Sequence, residues 1–418
     1  MYSHPDQCNC VDTTHALSIH LADFTPEETT FIESAVEKAL KKIYTGQYSG
    51  EFPEEFWNIT VGKLNEAVSS EFGKQIPELA NQLKYQNSVF AAFKSAHQTQ
   101  TLENLLAASK AATFTDFAAE VQSTVKDYNI NHLRAEWNTA KKAARSAKRW
   151  AKAIENADIF PNIEYTPSTA LDPRDVHKPY YGMIAPIDDP VWNGILPPSD
   201  WGCQCGWKTT DKNVTQKPHT MPPPEPGLDN NPGKNGALIS PSHPYFKAKG
   251  ADEIMKSNIA AMYGIDTKDI TEFYRDPKTN GCYFSVEKLA KTERAANKRI
   301  AKAYANKGSV VELYGSDSLD SIVNGTWNEF KTPDAMTENA FSKRLGKANS
   351  QLKDRKLKGD ATFELPEKYD ANIIRTAFRK KVNRADYENH LNFVHFTMKG
   401  KYLGSATIDD IIKGKLPI

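Results

Sequence analysis

The chain has 418 residues, of which 39% are hydrophobic, and its 53 Lys and Arg nearly balance 52 Asp and Glu to leave a net charge of +1. That length suggests two or three domains with real cores, and the charge balance excludes a globally polyanion-binding protein. No run of roughly 18 apolar residues is present, so no membrane span is expected, and the start of the chain lacks the basic-then-apolar order of a secretory signal. The five cysteines form two C-x-C pairs, Cys8-x-Cys10 and Cys203-x-Cys205, plus a lone Cys282. This odd, low count is not a disulfide scaffold and fits synthesis in a reducing cytoplasm.

The first clear element begins at Thr25-Pro26-Glu27-Glu28, where Thr25 can cap, Pro26 suits the first helical position and Glu28 completes a capping box. Phe31, Ile32, Val36, Leu40 and Ile43 follow with helical spacing. Residues 55–120 read as further amphipathic helices. Residues 120–153 read as one long helix with Trp137, Ala140, Ala144, Ala147 and Ala151 on one stripe. Its other face carries Arg134, Lys141, Lys142, Arg145, Lys148, Arg149 and Lys152, which suits contact with DNA or an acidic protein surface but also describes an ordinary solvated face.

Beyond Asp158 the helical pattern stops, and short strands are expected around Ile159–Thr166 and Gly202–Lys208. This stretch holds Arg174-x-x-His177, the run Asp188-Asp189-Pro190-Val191-Trp192, and Pro197-Pro198-x-x-Trp201-x-Cys203-x-Cys205. That order resembles the Mu F-like minor head proteins, or head morphogenesis proteins, of tailed bacteriophages, over roughly residues 120–210. The family usually has a basic residue between the two cysteines. Here it is Gln204, which weakens any claim that this point touches nucleic acid. Two thiols one residue apart on a strand share a face, so Cys203, Cys205 and His177 are candidate zinc ligands, with Cys8-x-Cys10 a second pair. Buried thiols and a hydrogen-bonded core histidine are the plainer alternative. Residues 211–245 are dense in Pro, Gly and Asn and read as an exposed, mobile linker.

A second domain is expected from about Tyr245. Its clearest helix is Val286–Lys307, closed by Gly308. Strands follow in `SVVELYGS` and `SLDSIVNGTWNEFKT`, then a helix at Thr337–Asp354, a strand in `DATFEL`, a helix at Asp370–Asn383 and a strand in `LNFVHFT`. Asn324-Gly325 is a two-residue hairpin turn. It pairs Val323 with Thr326 and sets Asp320 opposite Glu329, with Lys331 on the same face as Glu329. Facing carboxylates repel, so a divalent cation or the lysine ammonium should offset the cost.

The residues Asp320…Glu329-Phe330-Lys331 and the helix, three strands, helix, strand order resemble the PD-(D/E)xK nucleases. That resemblance implies Mg²⁺ or Mn²⁺ on Asp320 and Glu329, a lysine that handles the attacking water, and Gln351 as a site-lining helix residue. The segment also looks like the C-terminal nuclease toxins of contact-dependent inhibition proteins and of some Mu F-like phage proteins. Some of these have a metal-free barnase- or colicin-like ribonuclease fold, for which His395, Arg375 and Arg379 would be the candidates.

The expected architecture is therefore multidomain. A helical region (1–119) and a turn-rich α+β Mu F-like segment (120–210) precede a linker (211–245) and an α/β domain (246–418). The resemblances imply a minor head protein residing in the virion beside portal and capsid proteins. Its C-terminal domain would be a nuclease acting on host nucleic acid, with an immunity protein as a further partner, or else a non-catalytic module that binds DNA or a partner.

Overall fold

The structure is a computed structural model and describes residues 24–218, 220–287, 289, 294–315, 320–382, 387 and 390–417. Cys8 and Cys10 lie outside them. The chain divides into two compact units, Met1–Ile265 and Asp266–Ile418. The first is mostly α with a small sheet, and the second is α/β. No described helix is long and apolar enough to cross a membrane.

The first unit opens with α1 (Pro26–Thr45), and its capping box forms as the sequence requires. Ile32, Val36, Leu40 and Ile43 are buried, but Phe31 is 60% exposed and falls outside the stripe. Next come α2 (Glu54–Phe72), α3 (Pro77–Ala108), α4 (Phe114–Glu120) and α5 (Gln122–Lys126). Helix α3 is not amphipathic as expected, because its middle is buried on every side. The expected long helix at 120–153 is broken by a π turn at Asp127–His132 before α6 (Leu133–Glu155). The wider turn buries Tyr128 and Asn129, and the Asn129 amide donates to Val125 O. On α6, Trp137, Ala140, Ala144 and Ala147 are buried, whereas Ala151 is only partly so and Trp150 and Ala153 continue the stripe.

The three-stranded sheet comprises β1 (Asn162–Thr166), β2 (Ile184–Pro186) and β3 (Gly206–Thr210), in order β2-β1-β3 and antiparallel throughout. Ile163, Tyr165, Trp192 and Trp207 pack over it with Trp150 of α6.

The expected linker is a correction. Residues 211–217 are exposed, but Leu228, Pro232, Ala237, Leu238, Ile239 and Tyr245 are buried. The short α7 (Pro232–Asn235) lies against α6 so closely that a Cβ on Gly233 would meet Trp150 at 2.5 Å. Prolines, glycines and asparagines here shape tight turns under which side chains pack. The unit also takes in α8 (Ala251–Tyr263), whose Asn258 bonds Trp57 and Ser88. The boundary thus falls at 265/266 and not at 245/246.

A cluster of half-buried His132 with buried His243, Lys94 and Tyr245 joins α3, the π turn and this segment. His132 Nδ1 lies 3.0 Å from Tyr245 Oη. Burial, reinforced by the Lys94 charge, lowers His132 to about 4 and His243 to about 3. An unfolded histidine takes up its proton near 6.5, so the folded chain binds fewer protons below that pH. Stability is then full above about pH 6.5 and falls as pH drops toward 4, by about 1.4 kcal/mol per pH unit for each histidine. Urea midpoints between pH 7.5 and 4.5 should fall accordingly, and His132→Gln should flatten the decline. A flat profile in the parent chain would refute the assignment.

The second unit is an eight-stranded sheet. In chain order its strands are β4 (Glu272–Arg275), β5 (Cys282–Ser285), β6 (Val310–Leu313), β7 (Ser321–Val323), β8 (Thr326–Lys331), β9 (Gly359–Glu364), β10 (Leu391–Met398) and β11 (Lys401–Ala406), and they lie side by side in the order β11-β10-β9-β8-β7-β6-β5-β4. The β6–β7–β8 meander is antiparallel, while β9 runs parallel to β8 and β10 parallel to β9. The unit's helices are α9 (Arg294–Asn306), α10 (Glu338–Asp354), α11 (Ala371–Val382) and α12 (Ile408–Ile412). Val286 and Glu287, expected to start the helix that ends near 307, lie in a bend. Ala361 and Phe363 pack with α10 and α11, while Thr362 between them bonds Tyr304 of α9. Alternate strand residues face opposite sides, so the sheet is sandwiched between α9 and the α10–α11 layer. The order α9-β6-β7-β8-α10-β9 is the one expected from sequence. Strands β4, β5 and β11 and helix α12 were not foreseen.

Candidate functional site

The Asn324-Gly325 turn forms, with φ of 46° and 80°, both in the left-handed region that this hairpin type demands. Val323 pairs with Thr326 and Ser321 with Asn328, which leaves Asp320 at the mouth of the ladder beside Glu329. Phe330 stacks on Tyr304 of α9, so Glu329 and Lys331 point to the other face.

The three expected residues converge. Lys331 Nζ donates to Glu329 Oε2 at 2.6 Å and to Asp320 Oδ2 at 2.9 Å. Asp320 also accepts from the Phe330 backbone N–H at 2.9 Å and from Asn297 Nδ2 at 3.5 Å. Glu329 is fully buried, and its Oε1 has no hydrogen-bond partner. Burial pushes Glu329 up to about 7; the Lys331 ammonium opposes that shift and the Asp320 carboxylate reinforces it. A half-protonated carboxyl near neutral pH, with a free oxygen and a carboxylate neighbour, can accept a hard divalent cation or trade protons. Gln351 lies on α10 with its Oε1 buried and unpartnered, and the hydrogen bonds of the cluster do not include it.

The residues of the metal-free alternative do not assemble. His395 is 2% exposed, and both ring nitrogens are engaged, Nδ1 with Tyr402 Oη at 2.9 Å and Nε2 with Asp360 Oδ2 at 3.2 Å. Arg375 bonds Asn372, and Arg379 bonds Ile412 O. The Asp360–His395–Tyr402 chain was missed. Its signal was the polar residue inside Phe393-Val394-His395-Phe396.

In the first unit His177, Cys203 and Cys205 come together, with one ligand atom from each all within 4.8 Å. His177 Nδ1 is 3.7 Å from Cys203 Sγ and 3.5 Å from Cys205 Sγ. Hydrogen bonding from Cys203 and His177 pulls Cys205 down to about 4, and the same pairing together with burial pushes Cys203 up. One imidazole and two sulfurs are three of the four donors that tetrahedral zinc takes.

The cationic face of α6 is not open as expected. Arg145 bonds Glu71, Lys148 bonds Glu71 O, Lys142 bonds Cys203 O and Arg149 bonds Trp207 O. Lys141 sits over the Trp137 ring. Arg174 of the Arg-x-x-His motif bonds Asp200 and Trp201 O, which holds the 174–177 turn to the thiol loop.

No protein-family profile and no solved structure matches the chain. Over 73 residues it is 38% identical to the Mu-like prophage FluMu F protein of Haemophilus influenzae, a match covering 18% of each chain. Over 73 residues it is also 29% identical to the putative capsid assembly protein F of Escherichia phage Mu, covering 18% of this chain and 17% of that one. The chain therefore spans under a fifth of the length of these relatives, and within that span it is similar to Mu-like phage F proteins.

Proposed function

We propose that this chain is a head protein of a tailed bacteriophage. Its first unit would act in head morphogenesis, and its second would be a metal-dependent nuclease. The similarity to Mu-like F proteins supports the first part. The convergence of Asp320, immediately before the second strand, with Glu329 and Lys331 of the third strand of an α-βββ-α-β core carries the second, and that topology resembles the PD-(D/E)xK nucleases. The protein would be made in the host cytoplasm and reside in the virion head beside portal and capsid proteins. A nuclease acting on host DNA or RNA would call for an immunity protein in the producing cell.

Asp320 and Glu329 would hold Mg²⁺ or Mn²⁺, and the orphaned Glu329 Oε1 fits an oxygen-seeking cation. When bound, the cation supplies positive charge to a phosphodiester and to its attacking water. Lys331 holds the two carboxylates together and keeps an ammonium beside them. The full chain should cleave plasmid DNA or RNA with Mg²⁺ or Mn²⁺ and stop when the metal is chelated. Cleavage that persists in chelator would move the chemistry to a metal-free ribonuclease mechanism.

One observation favours a purely structural second unit. Lys331 bonds both carboxylates with Glu329 fully buried, as an ion triad that only stabilises the sheet would do. Inactivity on both DNA and RNA would favour that reading.

In the first unit His177, Cys203 and Cys205 would hold one zinc that staples the 174–177 turn to the thiol loop. Elemental analysis of the full chain should find about one equivalent, and the Cys203→Ser, Cys205→Ser double variant should lose it and melt earlier. Metal-free protein whose melting is unchanged by that variant would remove the zinc.

A further inference from the structure

Beside the thiol pair lies a cavity of about 210 Å³ between α6 and residues 197–207. Lys142, Arg145 and Arg149 line it, and none of its lining residues is acidic. Their spacing of three and four residues puts all three on one face of α6.

The cations are held in place but incompletely neutralised. Lys142 Nζ donates to Cys203 O at 2.7 Å. Arg149 donates to Trp207 O, and its guanidinium lies 4.5 Å over the Trp207 ring. Both acceptors are neutral carbonyls, so they fix the side chains without cancelling charge. Only Arg145 has a carboxylate, Glu71, at 2.7 Å. The Cys205 sulfur on the same lining adds a second negative group beside Glu71, so one positive charge remains in excess. An ammonium has three donors and a guanidinium five, so both groups retain donors for a ligand. A small concavity with surplus positive charge and pre-oriented N–H groups suits a compact polyanionic oxygen cluster.

We propose that this cavity binds a phosphate group, either as free phosphate or as the phosphodiester of a nucleic-acid strand. The proposal concerns the first unit and does not depend on the nuclease reading of the second. It also narrows the seven-cation face of α6 to the three residues that share one cavity. Gln204 on its lining adds no charge, so the cations of α6 carry the recognition and the Gln204 amide can donate only neutral hydrogen bonds.

The test uses the full chain in buffer without Mg²⁺, so that no cleavage interferes. Inorganic phosphate is titrated by calorimetry at constant ionic strength, and a short fluorescent DNA duplex by polarisation. Binding should weaken about tenfold for Lys142→Gln and again for Arg149→Gln, as each removes one charge-assisted contact. The salt slope for the duplex should fall by about one per cation removed. Lys152→Gln, which lies outside the cavity, should change neither. Tighter binding of the duplex than of phosphate identifies the phosphodiester as the source, and the reverse identifies free phosphate. If Arg149→Gln does not fold, Arg145→Gln at a more exposed position replaces it and should likewise weaken binding. Failure of the parent chain to bind either probe, or equal losses in the cavity variants and in Lys152→Gln, overturns the proposal.

Discussion

Glu329→Gln in the full chain should lower Mg²⁺-dependent cleavage by about a hundredfold or more, and Lys331→Met by a similar factor, a range typical for removing a metal ligand or a positioned acid–base group. Glutamine keeps the shape and the buried position but cannot carry the negative charge that a cation needs. Methionine keeps the packing of the lysine stem but leaves Asp320 and Glu329 without the ammonium that bonds both. The pH profile gives a second readout. Glu329 sits at about 7 because burial disfavours its charged form. It must lose its proton to act as a ligand, so cleavage should rise from pH 6 to pH 8, and excess Mg²⁺ should shift the rise to lower pH because cation and proton compete. A merely structural triad would give the variants lower melting temperatures and no pH-dependent activity. Unchanged cleavage in Glu329→Gln would end the metal reading.

That cluster was legible in sequence because everything that builds it is local. Asn324-Gly325 fixes the turn, the turn fixes the register, and the two-residue period of a strand then decides which side chains share a face. The same locality made the Thr25 capping box readable. The Pro/Gly/Asn-rich stretch at 211–245 failed for the opposite reason. Such residues specify how the backbone turns, while burial depends on a distant partner, here Trp150 against Gly233. Strand β4 has every residue half-buried, so it offers no alternation to detect. The π turn at Asp127–His132 shows in no propensity, because it arises from the packing of Tyr128 and His132 around Tyr245. The buried role of His395 was not legible because its partners Asp360 and Tyr402 sit on other strands.

The largest single loss of stability should come from Lys94→Met. Lys94 on α3 and Glu136 on α6 meet at 2.6 Å, and each is 1% exposed. Burial pushes the lysine down and the glutamate up, and each is the other's main opposing influence. Removing the lysine leaves a carboxyl in a dry interior, where Glu136 Oε1 already lacks a partner. Breaking one side of a buried pair costs about 3–5 kcal/mol, whereas replacing both partners with apolar residues of similar volume is often neutral. Lys94→Met should therefore be strongly destabilised, and adding Glu136→Leu should restore most of the loss. Tryptophan fluorescence during urea unfolding measures this well, since six of the seven tryptophans lie in the first unit. A double variant no more stable than Lys94→Met would mean that the pair is needed for something other than mutual neutralisation. The same substitution should also soften the acid sensitivity. The Lys94 charge helps to hold His132 and His243 below their ordinary value. Without it both should rise toward 6.5, the gap between folded and unfolded proton affinities should narrow, and stability should fall less steeply between pH 6 and pH 4.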